Sequence, residues 1–143
     1  MSSRILKAVL DVNHDQPIRA VELLKKHITD LKGCKIGVLG LAFKPDTDDI
    51  RESRAIPIVE RLLAESAEVL AYDPMAMERF KEFYPQINYA KDAGSIVLNS
   101  QAVMILTEWQ DFASLDYSGK IVIDGRRIES ARKSAKIYEG VCW

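Results

Sequence analysis

The chain has 143 residues, and 20 Lys plus Arg against 21 Asp plus Glu leave a net charge of −1. That length holds one domain of ordinary size, so a function that needs two domains must take the other from elsewhere. A hydrophobic content of 48% supplies a core, while a pI of about 6.1 excludes the cationic excess that a nucleic-acid stripe or a polybasic membrane surface requires.

Residues 4 to 31 read as helix, with Ile5, Val9, Val12, Ile18, Val21, Leu24, Ile28 and Leu31 recurring mostly at spacings of three and four. Pro17 interrupts this pattern and either kinks one helix or opens a second after Asn13 to Gln16. The chain enters the helical pattern almost at once, as a segment cut from a longer helix does. After Lys32-Gly33, short apolar runs alternate with helical stretches. Lys35 to Leu39 is a strand, Ile56 to Leu63 a helix, Glu68 to Tyr72 a strand and Met75 to Phe83 a helix. A short strand around Ile87 to Tyr89, a helix at Ala93 to Leu98 and strands at Ala102 to Leu106 and Ile121 to Ile123 follow, with Lys136 to Tyr138 the candidate for a last strand.

Continuously apolar strands that alternate with helices belong to a parallel sheet covered on both faces. The expected fold is α/β: an open, doubly wound, Rossmann-like and mostly parallel sheet of about six strands. There is no apolar run of about 18 residues, and MSSRILKAVL lacks the apolar core and cleavage site of a secretory signal. Cys34 and Cys142 lie far apart, and neither His14 nor His27 has a His or Cys partner at metal-ligand spacing. The expectation is a cytoplasmic protein with reduced thiols, no membrane segment and no metal site.

In such sheets ligands bind beyond the carboxyl ends of the strands. Three segments there stand out: Gly40 to Ser53, Thr107-Glu108-Trp109 and Asp124-Gly125-Arg126-Arg127. Gly37 and Gly40 make a GxxG, short of the GxGxxG of a self-sufficient dinucleotide site, and a charged loop follows in place of a glycine cradle. That loop offers Phe43 as an apolar plate, Lys44 as a point charge and Arg51 as a planar fork for phosphate. The competing reading is an acidic turn of Asp46, Asp48 and Asp49 with Arg51 paired to one of them. Trp109 covers the core edge or walls a pocket, one of Arg126 and Arg127 reaches an anion, and Asp73-Pro74 caps a helix or starts a turn.

The run from Lys35 to Ser53, KIGVLGLAFKPDTDDIRES, resembles the segment opening the C-terminal, nucleotide-sugar-binding domain of the UDP-glucose/GDP-mannose dehydrogenases. Ala71-Tyr72-Asp73-Pro74, Thr107-Glu108-Trp109 and Asp124-Gly125-Arg126 resemble segments that recur there in the same order, and Val12 to Gln16 resembles part of that family's long central helix. The resemblance implies a division into residues 1–32, the C-terminal part of an interdomain and dimerisation helix, and residues 33–143, a UDP-sugar-binding domain.

It further implies oxidation of a sugar C6 alcohol to a carboxylate with NAD, through an aldehyde and a thioester on a cysteine that this chain does not contain. Neither Cys34 nor Cys142 matches that nucleophile, so no catalytic residue is expected here. By the same resemblance Phe43, Lys44 and Arg126 bind the UDP-sugar, and Arg51 reaches the NAD held mainly by an absent N-terminal domain. The implied assembly is a homodimer. UDP-glucose is the expected sugar, with UDP-N-acetylhexosamine or GDP-mannose dehydrogenases as alternatives. A free-standing, non-catalytic nucleotide-binding or dimerisation module is the reading from a different class, motivated by the missing nucleophile and NAD fingerprint.

Overall fold

Alternate residues of a strand face opposite sides of a sheet, and in β4 (Ala102–Ile105) every residue is buried. Ala102 and Met104 join one apolar cluster, Val103 and Ile105 another. A strand of this kind needs cover on both faces, which crossover helices supply. A computed structural model of the chain, described here for residues 17–42, 49–51 and 53–141, has that architecture.

Helix α1 occupies 17–25 of the described residues. Then come β1 (Lys35–Leu39), α2 (Ala55–Ala64), β2 (Glu68–Tyr72), α3 (Met77–Phe83), β3 (Asn88–Tyr89) and α4 (Ala93–Asn99). After β4 follow α5 (Gln110–Ala113), β5 (Ile121–Asp124), α6 (Glu129–Ser134) and β6 (Ile137–Gly140). The sheet has six strands in the order β3-β2-β1-β4-β5-β6, with every pair parallel. Leu39 is in register with Tyr72 and Ile105, and Ile105 with Asp124, so four strands end on one rim. The chain changes direction across the sheet between β1 and β4, the switch point where such folds take ligands.

Helices α1, α2 and α3 cover one face and α4, α5 and α6 the other. Ala55, Ile58, Val59 and Leu62 form the buried stripe of α2 at spacings of three and four. Gly37 of β1 faces α4, where an added Cβ would stand 2.5 Å from Ile96 Cγ2 and 2.7 Å from Ser100 Oγ. The first glycine of the GxxG therefore serves close packing of helix on strand.

The helical pattern expected to reach Leu31 stops earlier. The last helical turn closes with Ile28 N–H donating to Leu24 O, after which the β-branched Ile28-Thr29 and the Asp30 side chain, which accepts from Lys32 N–H at 3.0 Å, favour a turn. Pro17 is helical, and the question of a kink or a second helix falls on residues outside those described. Ala20, Val21, Leu24 and Leu31 are fully buried in the cluster beneath α2. Lys25 Nζ meets Glu65 Oε1 at 3.0 Å just past the end of α2, so α1 is fastened to the sheet's own core. The sequence pattern did not show α5 and α6; at four and six residues they are too short to display a helical period.

Candidate anion site at the carboxyl rim

A phosphate-binding rim in an α/β sheet ordinarily uses backbone N–H groups at loops and helix starts. Here several of the described N–H groups in those places have acceptors within the protein. Asp73, fully buried after β2, takes four of them. Its Oδ2 accepts from Leu41 N–H at 2.7 Å and Ala42 N–H at 3.0 Å, and its Oδ1 from Met75 N–H at 2.8 Å and Ala76 N–H at 2.9 Å. One carboxylate thus clips the loop after β1 and shapes the turn into α3, which is why that helix begins at Met77 rather than Met75. Asp124, also fully buried, repeats the device after β5. Its Oδ1 accepts from Arg126 N–H at 2.7 Å, and its Oδ2 from Ile128 N–H at 2.6 Å and the Tyr138 hydroxyl at 2.8 Å. Burial, then this bond to a carboxylate, pushes the Tyr138 phenol up in pKa.

Helix α2 is closed in the same way. Ala55 N–H donates to Ser53 Oγ at 3.1 Å, Ile56 N–H to Ser53 O and Ile58 N–H to Arg54 O, while Pro57 has no N–H. Gly40, at φ +100°, packs against Thr107, whose hydroxyl donates to Ala42 O at 2.9 Å. The second glycine of the GxxG therefore brings the β1 and β4 loops together and forms no cradle. Among the described residues the rim offers no glycine cradle for a dinucleotide, since Gly40 packs on Thr107 and Asp73 accepts from four backbone donors.

Positive charge at this rim comes from side chains. Arg126 is half-buried and its Nε donates to Leu106 O at 3.0 Å, which fixes the guanidinium and leaves its terminal nitrogens for a ligand. Among the described residues no carboxylate forms an ion pair with it. Arg54, half-buried just ahead of α2, has its pKa lowered by burial and by the neighbouring charge of Arg126.

Arg51 has different surroundings. Its side chain is 88% exposed and makes a two-point pair with Asp49, Nε to Oδ1 at 3.1 Å and Nη2 to Oδ2 at 2.9 Å. The pairing expected for the acidic turn is thus present, while the side-chain bond at the start of α2 comes from Ser53. Arg51 lines a groove of about 440 Å³ with Asp49, Ile50, Ile56, Arg79, Phe83 and Tyr84. The hydrogen bonds from Arg51 hold the Asp49 carboxyl at about 2, below its ordinary 3.8. A depressed carboxyl pKa favours the folded pair above the unfolded value, and the benefit disappears as pH falls through the folded one. NMR titration of the Asp49 side chain is therefore expected to show a midpoint near 2 that returns toward 3.8 in R51A; an unchanged midpoint would break the assignment.

Phe43 and Lys44 lie outside the described residues, as do Asp46, Asp48 and Cys142. Trp109 packs against the cluster that contains Phe112 and Tyr117. Cys34 is half-buried, with its thiol directed at Asp30 O at 3.4 Å. Among the described residues no group of three His, Cys, Asp or Glu could hold a metal, and no helix is long and apolar enough to cross a membrane.

An all-parallel, doubly wound six-stranded sheet flanked by helices defines a Rossmann-like α/β domain. Residues 37–131 match the model of the UDP-glucose/GDP-mannose dehydrogenase family, UDP binding domain. The chain belongs to this family. It is 47% identical over 135 residues to the UDP-glucose 6-dehydrogenase AglM of Haloferax volcanii, covering 91% of this chain and 31% of that protein. Among solved structures it is similar to a UDP-glucose dehydrogenase from Pyrobaculum islandicum, with a TM-score of 0.91, 46% identity, and coverage of 96% of this chain and 32% of the other. It is also similar to a GDP-mannose dehydrogenase from Pseudomonas aeruginosa, with a TM-score of 0.77 and 25% identity over 98% of this chain and 34% of that one. The chain thus spans about a third of the length of these relatives.

Proposed function

We propose that this chain is the C-terminal, UDP-sugar-binding domain of an NAD-dependent UDP-glucose 6-dehydrogenase. The observation that carries this reading is the fixed, half-buried Arg126 guanidinium at the rim of a domain nearly half identical to UDP-glucose dehydrogenases. A guanidinium with one N–H anchored to a carbonyl is pre-oriented for a phosphate, since little side-chain freedom is lost on binding. Arg126, with Phe43 and Lys44 from the segment that follows β1 in sequence, binds the UDP-sugar. Arg51, exposed and oriented by Asp49 on a separate groove, serves the NAD held by the other domain. NAD supplies hydride acceptance; this chain's own residues bind and orient. The division at residue 32, the homodimer and the cytoplasmic setting belong to the same reading.

Calorimetric titration of the full-length polypeptide tests it. UDP and UDP-glucose are expected to bind more tightly than GDP; tighter binding of GDP would move the assignment to a GDP-sugar. R126A is expected to raise the KM for UDP-glucose roughly 10- to 100-fold with a smaller change in kcat, because it removes a charge-assisted contact worth about 1.5–3 kcal/mol. Unchanged steady-state kinetics would take Arg126 out of the site.

A further inference from the structure

The turn that carries Arg126 contains a strained residue. Arg127 has φ +57°, in the left-handed region that a residue other than glycine enters at a cost and keeps only where its surroundings impose it. The imposing group is Asp124. Its carboxylate accepts from Arg126 N–H at 2.7 Å and from Ile128 N–H at 2.6 Å, so its two oxygens bracket Arg127 from both sides. Gly125 N–H donates to Ile105 O at 2.9 Å, which ties the start of the turn to β4. The carboxylate needs its own orientation fixed, because rotation about its Cβ–Cγ bond would misalign both contacts. The Tyr138 hydroxyl, donating to Oδ2 at 2.8 Å, supplies a third point from outside the turn. The backbone of Tyr138 lies in register with Val122, two residues short of Asp124, and its phenol spans that step to the carboxylate. Two anchors then act on Arg126: Leu106 O on its side chain and Asp124 on its backbone.

We propose that Tyr138 is a positioning residue for the nucleotide-sugar site: its hydroxyl locks the Asp124 carboxylate, which holds the left-handed turn that aims the Arg126 guanidinium at the anion. This rests on the reading of Arg126 given above. With the hydroxyl gone, Asp124 keeps its two backbone donors and the turn still forms, but less opposes relaxation of the strained Arg127 conformation. The domain folds, while Arg126 populates the binding direction less. Apparent affinity falls in proportion to that population.

Calorimetric titration with UDP and steady-state kinetics with UDP-glucose, on the full-length polypeptide, compare wild type, Y138F, R126A and the double variant. Y138F is expected to weaken UDP and raise the KM for UDP-glucose roughly three- to tenfold with kcat nearly unchanged. Once Arg126 is already Ala, the same change is expected to alter UDP affinity by less than about twofold, because the interaction it serves is gone. Y117F is the control for lost stability. Tyr117 donates a buried hydroxyl to Phe112 O at 2.7 Å, so its loss lowers the melting temperature and leaves the KM unchanged. Equal fold-losses from Y138F with and without Arg126 would overturn the proposal, as would an unchanged UDP affinity in Y138F or a KM increase in Y117F that matches it. R126A that binds UDP as tightly as wild type would instead remove Arg126 from the site and overturn the reading on which the proposal rests.

Discussion

Replacement of Asp73 by Ala is expected to remove a large part of the domain's stability. The side chain is fully buried and accepts from four backbone N–H groups, two in the β1 loop and two ahead of α3. Each buried donor left without an acceptor costs about 1–3 kcal/mol, so four of them cost roughly 4 kcal/mol or more even if water enters the vacated space. A domain of this size has about 5–15 kcal/mol in all. Urea unfolding followed by circular dichroism measures the loss; a D73A midpoint corresponding to less than about 1 kcal/mol would refute the role. D73N keeps the volume but turns an NH2 group toward one of the two donor pairs, and is expected to fall between wild type and D73A. In D73A Leu41 and Ala42 lose their shared acceptor.

The second large effect is expected at Gly40. Its φ of +100° is a conformation that L-residues rarely adopt, and a Cβ there would lie 2.6 Å from the backbone nitrogen of Thr107. Backbone cannot swing aside as a side chain does, so Gly40→Ala combines strain with overpacking for roughly 3–5 kcal/mol. Gly33→Ala separates the two causes. Gly33 also has positive φ, +73°, yet nothing lies within 4 Å of its added Cβ. Only the left-handed penalty of about 1–2 kcal/mol applies there. Similar unfolding midpoints for the two variants would show that the contact with Thr107 does not matter.

The strands were legible because burial on both faces leaves continuous apolar runs such as Ala102 to Ile105, which fall apart into two opposed sets only once the sheet exists. Their parallel arrangement followed from the alternation with helices. The short GxxG was legible as a poor dinucleotide cradle. Its physical reason was not, because Ile96, Ser100 and Thr107 occupy that space from distant parts of the chain. Asp73 shows the same limit. Its bonds to Met75 and Ala76 are local and match the turn or cap its position suggests, whereas those to Leu41 and Ala42 cross from β2 to β1 and depend on strand order. Arg126 was placed at the rim by its position just after a strand, and the structure has it there, beyond β5.

The seating of α1 also has a mechanical consequence. Three of its side chains are embedded in the apolar cluster beneath α2, and Lys25 is tied to Glu65. Two further contacts fasten its C-terminal end to β6, where Glu139 lies 3.7 Å from Lys26 and 3.9 Å from His27. A helix held at three places on one body turns with that body. Residues 17–25 therefore act as a keyed shaft and not as a swivel.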